Sequence, residues 1–132
     1  IIVDVDGTRA KMGGRSPFNW SRVLEDKPNT PVIEAVKAAA AAGYKIIVCS
    51  GRDGVCKADT EVWMQAHNVP YDQFFIRPVG DSRKDSIIKT EIFDAHIRGQ
   101  YDVHYVLDDR NQVVDMWRAL GIACFQVAPG DF

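Results

Sequence analysis

The sequence has few cysteines and no long apolar run, and both absences narrow the class of protein. Its three cysteines, Cys49, Cys56 and Cys124, are an odd number without a CxxC pair, which argues against a disulfide framework and a cysteine-based metal site. We therefore expect a reducing compartment, the cytoplasm. No apolar stretch approaches the roughly twenty residues of a membrane span, and no signal peptide opens the chain, so we expect no membrane partner.

The chain also lacks a broad excess of basic residues. Its net charge is −2, which divides into +3 for residues 1–52 and −5 for residues 53–132. A general polyanion-binding protein usually needs a broad basic surface, so any contact with a nucleic acid should depend on a few arginines. The length of 132 residues and the hydrophobic content of 46% are typical of one globular domain.

Two carboxylates follow directly after an apolar, β-branched run at the start of the chain. Residues 1–3 predict a buried strand, and Asp4 and Asp6 come next, before Gly7 turns the chain. Acids are costly to bury without partners, and the carboxyl ends of strands are where open α/β sheets bind ligands. Asp4 and Asp6 are therefore candidates for a nucleophile and a proton carrier. The alternative is a strand that ends in an ordinary Asp-Gly turn.

A second apolar strand, predicted over residues 44–49, ends in Ser50, Gly51 and Arg52. A hydroxyl and a turn-forming glycine at a strand end can donate hydrogen bonds to a phosphate oxygen. A Ser-Gly turn alone is weak support for such a site. Its position one β-α-β unit after the first acidic pair gives it weight.

A later strand, predicted over residues 103–107, ends in the adjacent acids Asp108 and Asp109. Together with Asp4 they predict an oxygen-rich, negative pocket at the carboxyl edge of the sheet. Mg²⁺ fits such a pocket because it binds through one or two carboxylates and accepts a phosphate oxygen from the substrate. Either acidic pair alone could be a turn, but two pairs at strand ends favour a metal site.

Cations suited to a phosphate occur in two places. Residues 9–26 indicate a basic loop whose arginines, Arg15 among them, could bind phosphate bidentately. The alternative there is a solvated loop with ordinary surface charges. Lys84 lies in the first turn of a helix predicted to open at Asp81, where a cation opposes the helix dipole and so suggests another role. Arg83 is its rival, and the alternative is an ordinary charged helix face.

The alternation of strands and helices predicts a three-layer α/β domain with a mainly parallel, five-stranded sheet. Strands are predicted over residues 1–3, 44–49, 74–76, 103–107 and 122–127, and helices over 32–42, 59–67, 81–97 and 113–120. No segment is long enough for a large cap domain. We therefore expect an open site, roofed at most by residues 9–26 and 53–72, that admits the end of a polymer.

The run Asp4-Val5-Asp6-Gly7-Thr8 resembles the first motif of the haloacid dehalogenase-type (HAD) phosphatases. The longer run to Arg15, together with residues 108–118 and 126–132, resembles the 3′-phosphatase domains of bacteriophage polynucleotide kinase/phosphatases. The resemblance covers most of the chain apart from residues 53–78. It implies a HAD-like (Rossmannoid) fold without a large cap and a Mg²⁺-dependent phosphatase, with Mn²⁺ as the alternative metal.

That resemblance also implies a role for each candidate residue. The enzyme would remove 3′-terminal phosphates from DNA or RNA ends, with Asp4 as nucleophile through an aspartyl-phosphate and Asp6 as acid and base. Ser50 and Lys84 would hold the transferring phosphoryl group. The implied substrate-binding residues are Thr8, Arg15 and Arg52, and the implied metal-binding residues are Asp4, Asp6 through its backbone carbonyl, Asp108 and Asp109.

Finally, the resemblance implies that residues 1–132 form the C-terminal phosphatase domain of a longer kinase/phosphatase. We expect no 5′-kinase activity from these residues, because they contain no GxxxxGK[ST] loop to bind ATP. We also expect a homo-oligomer through the full-length protein, in the cytoplasm of a host cell if the gene is a phage gene. The alternatives are a capless HAD phosphatase for a small metabolite or a phosphoprotein, and a noncatalytic module that binds phosphate ends.

Overall fold

The computed structural model describes residues 1–6, 10–11 and 26–132 of the chain. A parallel sheet forms the centre of the described fold. The strands are β1 (Ile2–Val3), β2 (Ala10–Lys11), β3 (Lys27–Pro28), β4 (Ile47–Asp53), β5 (Gln73–Arg77), β6 (Val106–Asp108) and β7 (Cys124–Gln126). The helices are α1 (Thr30–Ala41), α2 (Lys57–Ala66), α3 (Asp85–Ile92) and α4 (Asn111–Ala119). A 3₁₀ turn at Gly54–Cys56 precedes α2, and a π-helical turn at Phe93–Ile97 extends α3.

The central sheet has the strand order β5-β4-β1-β6-β7, and all four of its strand pairings are parallel. The first strand lies in the middle, where Ile2 is in register with Ile47 on one side and with Val106 on the other. Parallel neighbours end at the same edge of a sheet, which brings together the segments that follow β1, β4 and β6. The predicted α/β class and the mainly parallel five-stranded sheet are confirmed.

Helices cover both faces of this sheet, with α3 and α4 on one face and α1 and α2 on the other. Side chains alternate along a strand, so Ile47 packs in the first layer and Val48 in the second. The same alternation separates Ile2 from Val3 in β1. Burial on both faces explains why these strands are continuous apolar runs rather than patterns with alternating polarity.

The connections between these strands are short. Within residues 26–132 no insertion is large enough to form a cap domain, and the 53–72 region forms α2 and its flanking turns. The buried side chains of α2 include Trp63 and Met64, which belong to the hydrophobic core. This region is therefore part of one helical layer. No helix among the described residues is both long and apolar enough to cross a membrane.

A second, two-stranded sheet was not predicted. β2 pairs with β3 in antiparallel register, Ala10 opposite Pro28 and Lys11 opposite Lys27. The sequence indicated a loop over residues 9–26 because strands of two residues show no periodicity.

Several helix boundaries and faces differ from the prediction. The third helix begins at Asp85 with Lys84 as its N-cap, four residues later than predicted. Its buried stripe contains Ile88 and Ile92, whereas the apolar Ile87 is 44% exposed. In α2 the exposed Val62 likewise lies outside the buried face. Positions adjacent in sequence differ by about 100° around a helix, so an apolar residue beside the stripe can face water.

This difference gives a stability test with neighbouring residues of the same type. Ile88→Ala should lower the free energy of unfolding by about 2–5 kcal/mol, because it leaves a cavity in the core. Ile87→Ala, at the exposed position, should lower it by about 1 kcal/mol or less. Urea denaturation of both variants measures the two values, and equal losses would contradict the observed orientation of α3.

Candidate active site

The first candidate residue, Asp4, lies directly after β1 at the carboxyl edge of the sheet. Its amide donates to the carbonyl of Leu107 at 3.0 Å, which continues the pairing with β6 beyond the end of the strand. The side chain is almost fully buried, and its Oδ1 accepts a hydrogen bond from Lys89 Nζ at 2.8 Å. The same ammonium donates to Asp108 Oδ2 at 3.0 Å. A buried cation thus joins the ends of two neighbouring strands.

The lysine that contacts these acids is not the one singled out from the sequence. Lys84 and Arg83 are exposed, and Arg83 pairs with Asp81 and Glu91 on the surface. Lys84 is the N-cap of α3, whereas Lys89 lies five residues further along and is buried. Lys89 is therefore a further candidate for the role predicted for Lys84, and that role stays a prediction.

Lys89 could have been found from the helical pattern. It lies beside Ile88 in the buried stripe of α3, and Asp85 lies in the same stripe one turn earlier. A lysine and an aspartate at apolar positions, four residues apart, predict a buried ion pair. The distance between Lys89 Nζ and Asp85 Oδ2 is 3.7 Å.

Asp4, Asp108 and Asp109 form a group suited to a metal ion. One carboxylate oxygen from each lies within 4.8 Å of the others, and all three residues are buried. Oxygen-only ligands and a concentrated negative charge fit a hard cation such as Mg²⁺. The predicted metal-binding acids therefore come together, while the carboxylate of Asp6 lies outside this group.

The charges in this group oppose one another. Burial, together with the carboxylate of Asp108, raises the pKa of Asp4 well above its ordinary value. Burial and Asp108 also raise the pKa of Asp109, to about 6. Burial alone would lower the pKa of Lys89, but Asp108 and Asp4 raise it well above its ordinary value. One ammonium therefore leaves the three acids under-neutralised, which a divalent cation would relieve.

Asp6 is held by a second cation on the other side of Asp4. Arg52 Nε lies 3.1 Å from both carboxylate oxygens of Asp6, and its Nη2 donates to Oδ1 at 2.8 Å. Two donors on one carboxylate fix its orientation and strengthen the contact. The side chain of Asp6 remains 31% exposed, so it can still reach a substrate or a water molecule.

Arg52 therefore differs from its predicted role as a substrate-binding arginine. It is buried, and besides Asp6 it binds Asp26 Oδ2 at 2.6 Å and Thr60 Oγ1 at 3.0 Å. These internal contacts occupy the guanidinium. The carbonyl of Asp26 in turn accepts from Trp63 Nε1 at 2.7 Å, which ties the network to α2. The sequence analysis missed Asp26, since nothing in the loop pattern marked it.

Ser50 lies within β4, where the pairing with β5 shifts register between Ser50 and Asp53, whereas the sequence predicted it just after the strand. Its Oγ accepts the backbone N–H of Arg52 at 3.1 Å, which leaves the hydroxyl proton for another acceptor. The residue is fully buried. A direct contact with a phosphate therefore requires a local opening of the site.

Asp85 lies beneath the acidic group and was not singled out from the sequence. Its carboxylate is within 3.7–3.8 Å of Arg77, Lys89 and Arg110, and its Oδ1 accepts no hydrogen bond from the described residues. That oxygen faces Gly51, where a Cβ would lie 1.8 Å away. Glycine is therefore required at position 51 for this close approach. Thr8 and Arg15, the two remaining predicted site residues, lie outside the described residues.

The fold and the acidic group together define the class. A parallel α/β sheet presents an aspartate after its central strand, a second aspartate two residues later, a serine within the neighbouring strand β4 and an acidic pair at the end of β6. This is the HAD-like arrangement. D,D-heptose 1,7-bisphosphate phosphatase from B. bronchiseptica, solved with magnesium and phosphate, has the same fold at 15% identity, with a TM-score of 0.69 over 96% of this chain and 78% of that one.

A particular family matches the whole chain. The family model of the polynucleotide kinase PNKP phosphatase domain matches residues 1–132, and the chain belongs to this family. A chain in a Pnkp1/Rnl/Hen1 complex is 47% identical with a TM-score of 0.96, over 99% of this chain and 46% of that one. A putative bifunctional polynucleotide kinase/RNA ligase of Autographa californica nuclear polyhedrosis virus is 38% identical over 92% of this chain and 18% of its own length. This chain thus spans less than half the length of these relatives.

Removing the buried cation should destabilise the fold. Lys89→Met leaves Asp4 and Asp108 buried without their shared partner, and the free energy of unfolding of the metal-free protein should fall by about 3–5 kcal/mol. Lys84→Met removes the same charge from an exposed position and should change it by about 0.5 kcal/mol or less. Urea denaturation with a chelator present compares them. A larger loss of unfolding free energy in Lys84→Met than in Lys89→Met would contradict the assignment of the structural cation to Lys89.

The affinity for Mg²⁺ should depend on pH through Asp109. Its pKa is about 6 in the fold against an ordinary 3.8, so protons compete with the metal as the pH falls through about 6. Without metal, the higher folded-state pKa means that stability rises as the pH falls from about 6 toward 3.8. Thermal unfolding with and without Mg²⁺ across this range measures both trends. Asp109→Asn should weaken both pH dependences. If the variant kept the pH dependence of the wild type, a group other than Asp109 would be responsible.

Proposed function

We propose that this chain is a Mg²⁺-dependent phosphatase that removes the 3′-terminal phosphate from nucleic acid ends. The observation that carries the proposal is the placement of Asp4 at the carboxyl end of the central strand, next to Asp108, Asp109 and Lys89. Asp6 follows two residues later and is oriented by Arg52. The polynucleotide kinase family supports the nucleic acid substrate.

In the first step, a carboxylate oxygen of Asp4 attacks the phosphorus atom of the substrate. The bond between phosphorus and the 3′ oxygen breaks, and Asp6 gives a proton to that leaving oxygen. The product is an aspartyl-phosphate on Asp4 and a free 3′ hydroxyl. Lys89 and the hydroxyl of Ser50 are proposed to stabilise the charge that develops on the phosphoryl oxygens.

In the second step, Asp6 takes a proton from a water molecule, which attacks phosphorus and releases inorganic phosphate from Asp4. The same side chain therefore acts first as acid and then as base. Arg52 contributes by position: its contacts to both oxygens of Asp6 hold the carboxylate in one orientation. It does not itself need to contact the substrate.

Mg²⁺ would be held by Asp4, Asp108 and Asp109, whose oxygens cluster within 4.8 Å. When bound, the metal would supply positive charge that keeps the carboxylates ionised and offsets the charge of the phosphate. The raised pKa of Asp4 fits this requirement, because without a cation its nucleophilic form is disfavoured. We keep Mn²⁺ as an alternative metal.

A further solved chain that is 47% identical belongs to the Pnkp1/Rnl/Hen1 RNA repair complex, and the match covers 42% of its length. Its presence in an RNA repair complex supports RNA ends as the first substrates to test, with DNA ends beside them. We further propose that these residues act within a longer protein. The second candidate function is a phosphatase for a small phosphorylated metabolite, favoured by the burial of Asp4, Asp108 and Asp109.

Oligonucleotides that carry one phosphate at either end test the proposal. We expect release of the 3′-phosphate in the presence of Mg²⁺, retention of the 5′-phosphate, and no release after chelation. Asp4→Asn should reduce turnover by far more than tenfold, since a tenfold loss is a barrier change of only about 1.4 kcal/mol. Release is measured with end-labelled RNA and DNA and with an aryl phosphate.

The comparison also separates the two candidate functions. Equal rates at both ends, or a strong preference for a free metabolite over every oligonucleotide, would contradict the polynucleotide substrate. Full activity in Asp4→Asn would contradict its role as nucleophile. Hydrolysis of the aryl phosphate but of no oligonucleotide or metabolite would show that the chain is a phosphatase without identifying its substrate.

A further inference from the structure

Most cations near the described acids are occupied by internal contacts. Lys89 binds Asp4 and Asp108, and Arg52 binds Asp6. Arg77, whose side chain is 12% exposed, donates from Nε to the carbonyl of Gly51 at 2.7 Å and from Nη1 to backbone carbonyls further along the chain. The guanidinium groups of Arg52 and Arg77 are therefore committed to internal contacts, and Lys89 is committed to Asp4 and Asp108 at the proposed phosphoryl site.

Arg110 differs from the other cations in both exposure and contacts. It follows Asp109 directly, is the N-cap of α4, and its side chain is 32% exposed. Its Nε donates to the carbonyl of Phe132 at 3.1 Å, and its guanidinium lies 4.9 Å from the centre of the Phe132 ring. Its Nη1 lies 3.8 Å from Asp85 Oδ2, which is too long for a hydrogen bond. Among the described residues, its two Nη atoms therefore retain unused donors.

Arg110 is also close to the catalytic group. The carboxylate of Asp85 lies 3.7 Å from Lys89, the cation bound to Asp4, and 3.8 Å from Arg110. One carboxylate thus separates the free guanidinium from the cation on the proposed nucleophile. If the phosphate next to the scissile one pairs with Arg110, it lies on the Asp85 side of the proposed nucleophile.

A cleft of about 420 Å³ opens beside Arg110, lined by Asn111 and residues 126–131. The loop that forms it is fastened to the strand end that carries the acids: Asn111 N donates to the carbonyl of Gly130 at 2.8 Å, and a Cβ on Gly130 would lie 1.8 Å from the carbonyl oxygen of Asp109. Phe132, two residues after Gly130, is 66% exposed. The cleft, an exposed aromatic ring and a guanidinium with unused donors therefore lie close together.

We propose that this surface binds the nucleotide that precedes the 3′-terminal one. Arg110 binds the phosphodiester that joins the two nucleotides, and the preceding nucleoside lies in the cleft with its base toward Phe132. Arginine suits a phosphate because of its paired donors, and an aromatic ring next to a cation is a common platform for single-stranded nucleic acid. Asp131 also lines the cleft and repels a phosphate, which restricts the phosphodiester to Arg110. The inference rests on the proposed polynucleotide 3′-phosphatase activity.

The test compares two dinucleotides with a 3′-phosphate, one with a normal linkage and one with a neutral methylphosphonate linkage. The intact wild-type protein should lose about 10- to 100-fold in kcat/KM with the neutral linkage, the loss of a charge-assisted hydrogen bond. Arg110→Ala should show a similar loss on the normal dinucleotide and little further loss on the neutral one. An aryl phosphate serves as the reference substrate for both proteins.

Two further measurements separate charge from structure. Arg110→Lys should recover part of the preference for the charged linkage, and Arg110→Ala should reduce the slope of log kcat/KM against log salt by about one. Arg98→Ala is the matched control: Arg98 is exposed, pairs with Asp94, and its guanidinium also lies 4.9 Å from an aromatic ring, that of Phe93. It should leave the linkage preference as in the wild type.

Each contrary outcome has one meaning. Equal losses for Arg110→Ala on the aryl phosphate and on both dinucleotides would show that Arg110 acts on the chemistry through Asp85, and would overturn the inference. Equal rates of the wild type on charged and neutral linkages would also overturn it, whether or not any variant folds. Hydrolysis of the aryl phosphate but of neither dinucleotide would instead refute the polynucleotide 3′-phosphatase activity on which the inference rests.

Discussion

The ammonium of Lys89 lies between two buried carboxylates, Asp4 at 2.8 Å and Asp108 at 3.0 Å, and this contact joins three elements at one point. Burying charges costs several kcal/mol for each ion unless partners compensate it. Here one cation from α3 compensates acids that follow β1 and β6, so the helix, the two strands and the metal-binding edge depend on one another. The negative charge that Lys89 leaves uncompensated is what makes the site suitable for a divalent cation and a phosphate.

A second buried cation divides the work between the two acids of the first motif. Asp4 contacts Lys89 from the layer of α3, whereas Asp6 contacts Arg52, whose other partners Asp26 and Thr60 lead to α2. The two acids are two residues apart, yet each is held by a different layer of the fold. Separate environments for two like groups fit the proposal that one acts in attack and the other in proton transfer.

Much of this could be predicted from the sequence, because apolar runs, turn residues and acids at strand ends are local signals. The sheet, the helical layers and the acids Asp4, Asp108 and Asp109 follow from them. The cation is marked less directly: Lys84 has an unusual place at a helix start, the helical pattern indicates that Lys89 is buried, and the three-dimensional packing shows which acids Lys89 reaches. Arg52 likewise has the right place for a phosphate contact, and burial commits it to internal carboxylates instead. The roles of residues 7–9 and 12–25 stay predictions.

The close approach of Asp85 to Gly51 limits how this part of the sequence can vary. Any side chain at position 51 would occupy the space of the Asp85 carboxylate, so a larger residue there can be accepted only together with a smaller or displaced residue at position 85. Losing that carboxylate would remove the common counter-charge of Arg77, Lys89 and Arg110. Evolutionary changes should therefore be correlated at the five positions of this contact network. The positions are 51, 77, 85, 89 and 110.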